Sequence, residues 1–188
     1  MFQLSDADQQ QLLRIARTAV YTYLSGKAPR PAPLTSGPLT EIHGVFVSLY
    51  ERPDGELHGC IGNVHPSKEL YKTTAECAIS AAVGDPRFAE LTMEELPRID
   101  FEISVLSTLE RVVDPQTIEV GRDGLLISKR GLKGLLLPQV ATEQGWNREK
   151  FLAETCRKAG LKADDWKDGA TISRFSAFVF GEKKLQKK

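Results

Sequence analysis

The sequence predicts a mixed fold of amphipathic helices and hairpin-connected strands, followed by a smaller lobe of different composition. Three observations lead to this prediction. Apolar residues recur at helical spacing after Ser5, two apolar strands flank the turn residues 51–55, and short apolar runs separated by glycines begin at Asp114. A chain of 188 residues is long enough for one domain with a sizeable core, or for a compact body with a small lobe.

The first half of the chain has clear start and stop signals. Ser5 is expected to cap a helix that runs to about Leu24, and residues 27–39 are too rich in proline for a helix or a sheet interior. Segments 42–50 and 55–64 then form a predicted β-hairpin with Cys60 on its second strand. Ser67 is expected to cap the next helix, which ends near Val83.

The second half alternates strands with one further helix. Residues 98–112 alternate apolar and polar side chains as a strand does, and residues 125–128 and 134–140 are predicted to form a hairpin. Asn147 is expected to cap a helix that stops at Gly160. The last strand, at residues 171–180, is expected to return to the main sheet, because it offers apolar groups to both faces.

Composition narrows the classes of function. Twenty-five basic residues balance twenty-five acidic ones, whereas a protein that neutralises many phosphates usually carries a basic surplus. The sequence contains no apolar run long enough to cross a bilayer, and its first residues lack the pattern of a secretory signal, so a cytoplasmic location is expected. Nucleic acid is therefore the less favoured partner, and a membrane is not expected to be one.

Two of the three cysteines are expected to be packing residues. Cys77 and Cys156 each lie on the apolar face of a predicted helix, where cysteine acts as a small core side chain. The odd number and wide spacing of the cysteines argue against a disulfide framework and against a C-x-x-C site.

The segment ELHGCIGNVHPS, residues 56–67, places the third cysteine in a setting that suggests chemistry. His58 and Cys60 share a face if the strand is regular, and a neighbouring imidazolium or helix N-terminus favours a thiolate. Gly59 and Gly62 mark a bulge or the close approach of a ligand or another backbone. The alternative is that Cys60 is one more buried filler, which is the commoner state of a lone strand cysteine.

Metal and cofactor sites are not predicted. His58, Cys60 and His65 lack a known ligand spacing, and His43 joins them only if a pairing register is assumed. The sequence has no glycine-rich phosphate loop after a strand and no nucleophile elbow, so no cofactor is expected.

An ordered series of motifs resembles one known family. LHGCIG resembles the family hallmark L-R-G-C-I-G, and AISAAVGDPRF, LTMEELPRIDFEISVLS, VGRDGLLI, GLLLPQVATEQGW and TCRKAGL follow at the expected distances. The series extends from about Gly44 to Phe180 and resembles the AMMECR domain family, whose microbial members are called protein A of the AmmeMemoRadiSam system. His58 stands where the family typically has arginine, which leaves base or hydrogen-bonding roles open at this position.

The resemblance implies a fold and a site. The implied fold is α+β, with a larger lobe built on a mainly antiparallel sheet with flanking helices, a smaller β-containing lobe, and a cleft between them. We expect residues 1–111 and 161–188 in the larger lobe and residues 112–160 in the smaller one. The hallmark region is expected to line the cleft, and motif matching adds to Cys60 and its neighbours four binding residues: Asp85, Arg87, Pro138 and Gln139.

Several roles remain open for Asp85, Arg87 and Pro138. Asp85 is equally consistent with an ordinary helix-ending turn before Pro86, and Arg87 with a salt bridge that ties this turn to the sheet. Pro138 inside a strand indicates an edge or a bulge, which fits a cleft lip as well as a plain sheet margin.

Three functions are consistent with the sequence and the resemblance. The first is a binding or accessory module that recognises a small molecule, a peptide, or the Memo-like and radical SAM proteins of the same system. The second is a thiol enzyme in which Cys60 is the nucleophile or carrier and His58 transfers protons. The third is a nucleic-acid-binding regulator, which requires a one-sided basic surface. We favour the first.

Overall fold

The protein forms an α+β fold made of two compact units, each with its own four-stranded sheet. A computed structural model describes residues 4–185. One unit comprises the chain up to Leu106 together with the chain from Phe178 onward, and the other comprises Ser107–Ala177. The lobe boundaries expected from the sequence lie at residues 112 and 160, whereas the second unit begins at Ser107 and ends at Ala177.

The first unit is built on a sheet with the strand order β2-β1-β3-β8. Its strands are β1 (Val45–Glu51), β2 (Leu57–Asn63), β3 (Ile99–Leu106) and β8 (Ala177–Gly181), and both β2 and β3 pair antiparallel to β1. The helices are α1 (Asp6–Leu24), α2 (Leu70–Val83) and the short α5 (Glu182–Leu185). Apolar residues of α1, α2 and the sheet form one buried core.

The start of α1 is confirmed, whereas the start of α2 differs from the prediction. Ser5 caps α1 through a reciprocal capping box with Asp8. The predicted apolar face of α1 is buried except for Tyr23, which is exposed. Helix α2 begins at Leu70, and its N-cap position is taken by Glu69 without a side-chain hydrogen bond, so Ser67 is not the cap.

The second unit has the strand order β4-β7-β5-β6. Its strands are β4 (Glu110–Val112), β5 (Gly124–Lys129), β6 (Leu132–Leu136) and β7 (Thr171–Phe175), all joined by antiparallel pairs. Helices α3 (Pro138–Glu143) and α4 (Arg148–Lys158) complete it. Asn147 caps α4, as predicted, by accepting a hydrogen bond from the Lys150 amide.

The predicted last strand is two strands that belong to different sheets. Residues 171–175 form β7 in the second sheet, residues 177–181 form β8 in the first, and Ser176 separates them. The Ser176 carbonyl accepts a hydrogen bond from the Ser107 amide, and the Ser107 hydroxyl accepts one from the Ser176 amide. The apolar pattern on both faces of this segment arises because it contributes to two cores.

No helix in the described part of the chain is long and apolar enough to span a bilayer.

Candidate functional site

Cys60 lies on β2, which is an edge strand of the first sheet. Its neighbours Gly59 and Ile61 face the helical layer: Ile61 packs against the core, and a Cβ on Gly59 would lie 2.0 Å from the Ala81 carbonyl oxygen of α2. Because side chains alternate along a strand, Cys60 and Gly62 face away from α2. The close approach at Gly59 is therefore that of another backbone, one of the three roles that the sequence left open.

The Cys60 side chain is partly buried and has one polar partner. Ser48 is its cross-strand neighbour on β1, and the Ser48 hydroxyl donates a hydrogen bond to Cys60 Sγ over 3.2 Å. Next to it, Phe46 pairs with Gly62, and a Cβ on Gly62 would lie 2.2 Å from the Phe46 ring. Gly62 therefore makes room for an aromatic ring of this chain.

Asp85 and Arg87 hold the main chain of Cys60 from the edge of the sheet. Asp85 comes directly after Gly84, which ends α2, and its Oδ2 accepts a hydrogen bond from the Cys60 amide over 2.9 Å. Arg87 Nη2 donates to the Cys60 carbonyl over 3.3 Å. The two side chains thus bond the groups that a further strand would bond, so the amide and the carbonyl of Cys60 both have partners at this edge.

The two side chains also form a bidentate ion pair with each other. Arg87 Nε lies 2.9 Å from Asp85 Oδ1, and Arg87 Nη2 lies 2.6 Å from Asp85 Oδ2. The hydrogen bond from Arg87 lowers the pKa of Asp85 well below its usual range, and this effect outweighs burial, which raises it. Asp85 in turn raises the pKa of Arg87. The pair is therefore charged throughout the neutral range.

Burial differs between the partners. The Asp85 side chain is 2% exposed and that of Arg87 is 55% exposed. Arg87 Nη1 makes no hydrogen bond with any residue in the described range 4–185. We call the surface formed by Ser48, Cys60 and Arg87 the Cys60 surface. In it, the partly exposed Cys60 is bonded through its carbonyl to an exposed guanidinium that the buried carboxylate fixes in place.

His58 differs from the prediction, because β2 carries a bulge. Leu49 pairs with Gly59 and Tyr50 with Leu57, so His58 is an extra residue in the ladder. His58 Nδ1 lies 3.0 Å from a carboxylate oxygen of Glu51, and His58 Nε2 is buried without a hydrogen-bond partner among the described residues. Neither ring nitrogen contacts Cys60.

The remaining predicted binding residues lie in the second unit. Pro138 and Gln139 are the first two residues of α3, so the expectation that Pro138 lies in a strand is wrong. The fixed φ of proline and its missing amide suit the first helical position, which explains the difference. Within the first unit, the structure brings Gly59, Asp85 and Arg87 together around Cys60.

Two residues around Cys60 were not predicted from the sequence. Ser48 and Phe46 lie on the partner strand, and only the pairing register places them beside Cys60 and Gly62. The turn residues between the two strands indicate which residues should pair. The bulge at His58 then shifts the pairing by one residue for the part of β2 that contains Cys60 and Gly62.

The other two cysteines have no site around them among residues 4–185. Cys77 and Cys156 are buried in the two cores, as predicted, and burial raises the pKa of Cys77 to about 11. In the described part of the chain, no group of three or more histidine, cysteine or acidic residues is arranged to hold a metal ion. Four pockets of about 310 to 450 Å³ are lined by residues outside β2.

The fold and the site define a class of protein: an α+β protein whose edge-strand cysteine is fixed by an aspartate–arginine pair. The profile of the AMMECR1 family matches residues 13–180, and the chain belongs to this family.

Its relatives cover nearly the whole chain. Protein PF1979 of Pyrococcus furiosus is 44% identical over 97% of this chain and 91% of its own length. A protein of Methanothermobacter thermautotrophicus is 44% identical over 95% of this chain and 96% of its own. Among solved structures, the uncharacterized protein PH0010 from Pyrococcus horikoshii matches with a TM-score of 0.88 and 42% identity, covering 96% of this chain and 94% of that one.

Proposed function

We propose that this protein is a ligand- or partner-binding accessory protein, and that the Cys60 surface is its recognition site. The observation that carries the proposal is the exposed Arg87 guanidinium, whose Nη1 is free of hydrogen bonds with residues 4–185 while Asp85 holds its Nε and Nη2. A guanidinium fixed in this way loses little conformational entropy when it binds a carboxylate or a phosphate.

The proposed partners are the Memo-like and radical SAM proteins of the AmmeMemoRadiSam system, and a small anionic ligand or peptide is the alternative occupant. The cleft between two lobes that the family resemblance implies stays a prediction. Binding is favoured over catalysis because His58, the proposed base, bonds Glu51 and not Cys60. A nucleophile needs a base within hydrogen-bond reach, and Ser48 is a poor one.

Binding to purified partners tests this proposal. The wild-type protein is immobilised and presented with the purified Memo-like protein and the purified radical SAM protein, separately and together. We expect retention of at least one of them, and about tenfold weaker retention by Arg87→Ala, because a charge-assisted hydrogen bond is lost. Arg122→Ala is the matched control, since Arg122 is similarly exposed and also pairs with a buried aspartate. Equal retention by both variants, or none by the wild type, contradicts the proposal.

A thiol enzyme is the second candidate, because Cys60 is a partly exposed residue whose carbonyl accepts a hydrogen bond from the Arg87 guanidinium. Iodoacetamide labelling of the folded protein, followed by peptide mass spectrometry across a pH series, tests this candidate. Labelling of Cys60 well below the pH at which ordinary thiols react supports the candidate, and absence of labelling in the folded state removes its basis. Buried Cys77 and Cys156 are the internal references.

A further inference from the structure

The second unit contains a pocket of about 450 Å³ at the open end of the β4–β7 pair. Val112 and Ile172 form the last residue pair between β4 and β7. Beyond this pair the two segments are no longer hydrogen-bonded to each other as strands. The walls that a ligand would contact include two cations, an aromatic ring and two apolar side chains: Arg111, Lys167, Trp166, Val113 and Pro115. The volume lies within the range of about 300 to 1,000 Å³ that small-molecule sites occupy.

The charges of the lining residues are one-sided. The Arg111 side chain is exposed and forms no hydrogen bond or ion pair with any residue in the part of the chain that the structure describes. Lys167 Nζ lies 5.2 Å from the centre of the Trp166 ring and 3.2 Å from an Asp164 carboxylate oxygen, and both of these charged side chains are largely exposed. The residues that line the pocket include two cations and no carboxylate.

The apolar part of the pocket contains an aromatic ring that is anchored in the core. Trp166 is partly buried and packs against the core of the second unit, which fixes the position of its ring. Val113, which is 91% exposed, and Pro115 also line the pocket. A tryptophan face beside cations offers stacking to a planar ring and charge-assisted hydrogen bonds to an anion.

We infer that this pocket binds a small ligand that joins a planar ring to an anionic group, of the class of a nucleoside monophosphate. The ring stacks on Trp166, and the phosphate bonds Arg111 and Lys167. The other pockets fit this class less well, and in the pocket beside Tyr21 the one cation, Arg17, is already paired with Glu182. The pocket along α1 is lined by Arg14 and Arg30 but by no aromatic residue, and the pocket beside Tyr50 is lined by Asp100 and Glu102, which repel an anion. The inference is independent of the Cys60 surface.

The two tryptophan side chains provide an internal comparison for the test. Trp146 packs against the same core but does not line the pocket. In nitrogen–proton correlation spectra of the whole protein, the two indole signals are assigned with Trp146→Phe. Adenosine 5′-monophosphate is expected to shift the Trp166 signal saturably at up to millimolar concentration and to leave the Trp146 signal in place.

Adenosine and inorganic phosphate separate the two parts of the ligand, and each is expected to bind at least about tenfold more weakly than the monophosphate. Arg111→Ala is expected to weaken binding of the monophosphate about tenfold, whereas Lys133→Ala, which removes an exposed cation from β6, leaves binding unchanged. No shift of the Trp166 signal overturns the inference. So does equal binding of adenosine or of phosphate alone, or equal binding by the two variants.

Discussion

The two units each contain a buried aspartate paired with a half-exposed arginine, but the two pairs fix different things. In the first unit Asp85 pairs with Arg87, and in the second Asp123 pairs with Arg122 through bonds of 2.8 and 3.0 Å. The two arginine side chains are 55% and 51% exposed. Geometry and exposure are therefore closely matched.

The difference lies in the backbone group that each carboxylate binds. Asp123 accepts a hydrogen bond from the amide of Glu119, four residues earlier, and closes its own turn. Asp85 accepts one from the amide of Cys60, 25 residues earlier, and joins the end of a helix to an edge strand. The same pair of side chains thus serves a local turn in one unit and holds the Cys60 surface in the other.

The largest expected effect comes from Gly59→Ala. This variant tests whether the bond between Asp85 and the Cys60 amide depends on close packing of α2 against β2. A methyl group at position 59 meets the Ala81 carbonyl oxygen at 2.0 Å, so α2 has to move away from β2. We expect a loss of about 3 kcal/mol in the free energy of unfolding, measured in urea, together with faster amide exchange at Cys60.

Gly131→Ala is the control for the loss of a glycine. Gly131 has a positive φ but open space around its Cα, so only the backbone strain is expected, at about 1 kcal/mol. Equal losses of unfolding free energy in the two variants would show that the close contact between Gly59 and α2 is not what makes Gly59→Ala destabilising.

The two aspartates themselves are compared next. Asp85→Asn keeps one acceptor oxygen but loses the ion pair and weakens the long-range bond to the Cys60 amide, and we expect it to lower the free energy of unfolding by about 2 kcal/mol. Asp123→Asn is expected to cost about 1 kcal/mol, because the bond that it weakens closes a turn of four residues. Urea titrations of both variants give the difference. A larger loss for Asp123→Asn reverses the comparison.

The pH dependence of stability sharpens the role of Asp85. Arg87 lowers the pKa of Asp85 in the folded state, so the carboxylate stabilises the folded protein at pH values above its unfolded pKa of about 3.9. That stabilisation is lost as the pH falls through the folded-state pKa. The difference in unfolding free energy between the wild type and Asp85→Asn is therefore expected to be constant above about pH 5 and to shrink below pH 4. A difference that grows on acidification contradicts this assignment.

The smallest effect is expected when the two arginines are replaced. The quantity that changes is the rate at which the Cys60 thiol is alkylated. Arg87→Ala removes a bond to the Cys60 carbonyl at the sheet edge, and we expect several-fold faster alkylation of Cys60 at fixed pH. Arg122→Ala, whose bonds lie in the second unit, is expected to leave this rate unchanged. Peptide mass spectrometry after timed labelling compares the two rates, and equal acceleration in both variants indicates a general loosening instead.

Local signals predicted the elements whose ends are fixed by their own residues. The capping box of Ser5 and Asp8 defines the start of α1, and Asn147 defines the start of α4. The hairpin of β1 and β2 follows from its turn residues. The family resemblance then led to Asp85 and Arg87, which in the structure bond the main chain of Cys60.

Features that depend on contacts between distant segments were not predictable in the same way. The bulge leaves His58 as an extra residue in the ladder, and a pattern of alternating residues assumes that no such bulge exists. Residues 171–181 divide between two sheets, although their apolar pattern reads as one strand. Ser67 has the right residue type for a cap, but α2 begins three residues later, after Glu69.

The hydrogen bonds between Ser107 and Ser176 have a consequence for how this protein can change over time. They join the first and the penultimate residues of the second unit, so the chain leaves the first unit and returns to it at adjacent points. A segment with neighbouring ends can be inserted, exchanged or deleted with little displacement of the host chain, because the gap to be closed is short. Residues 107–177 can therefore be exchanged by recombination as one segment, while β3 and β8 on either side of it stay in the first sheet.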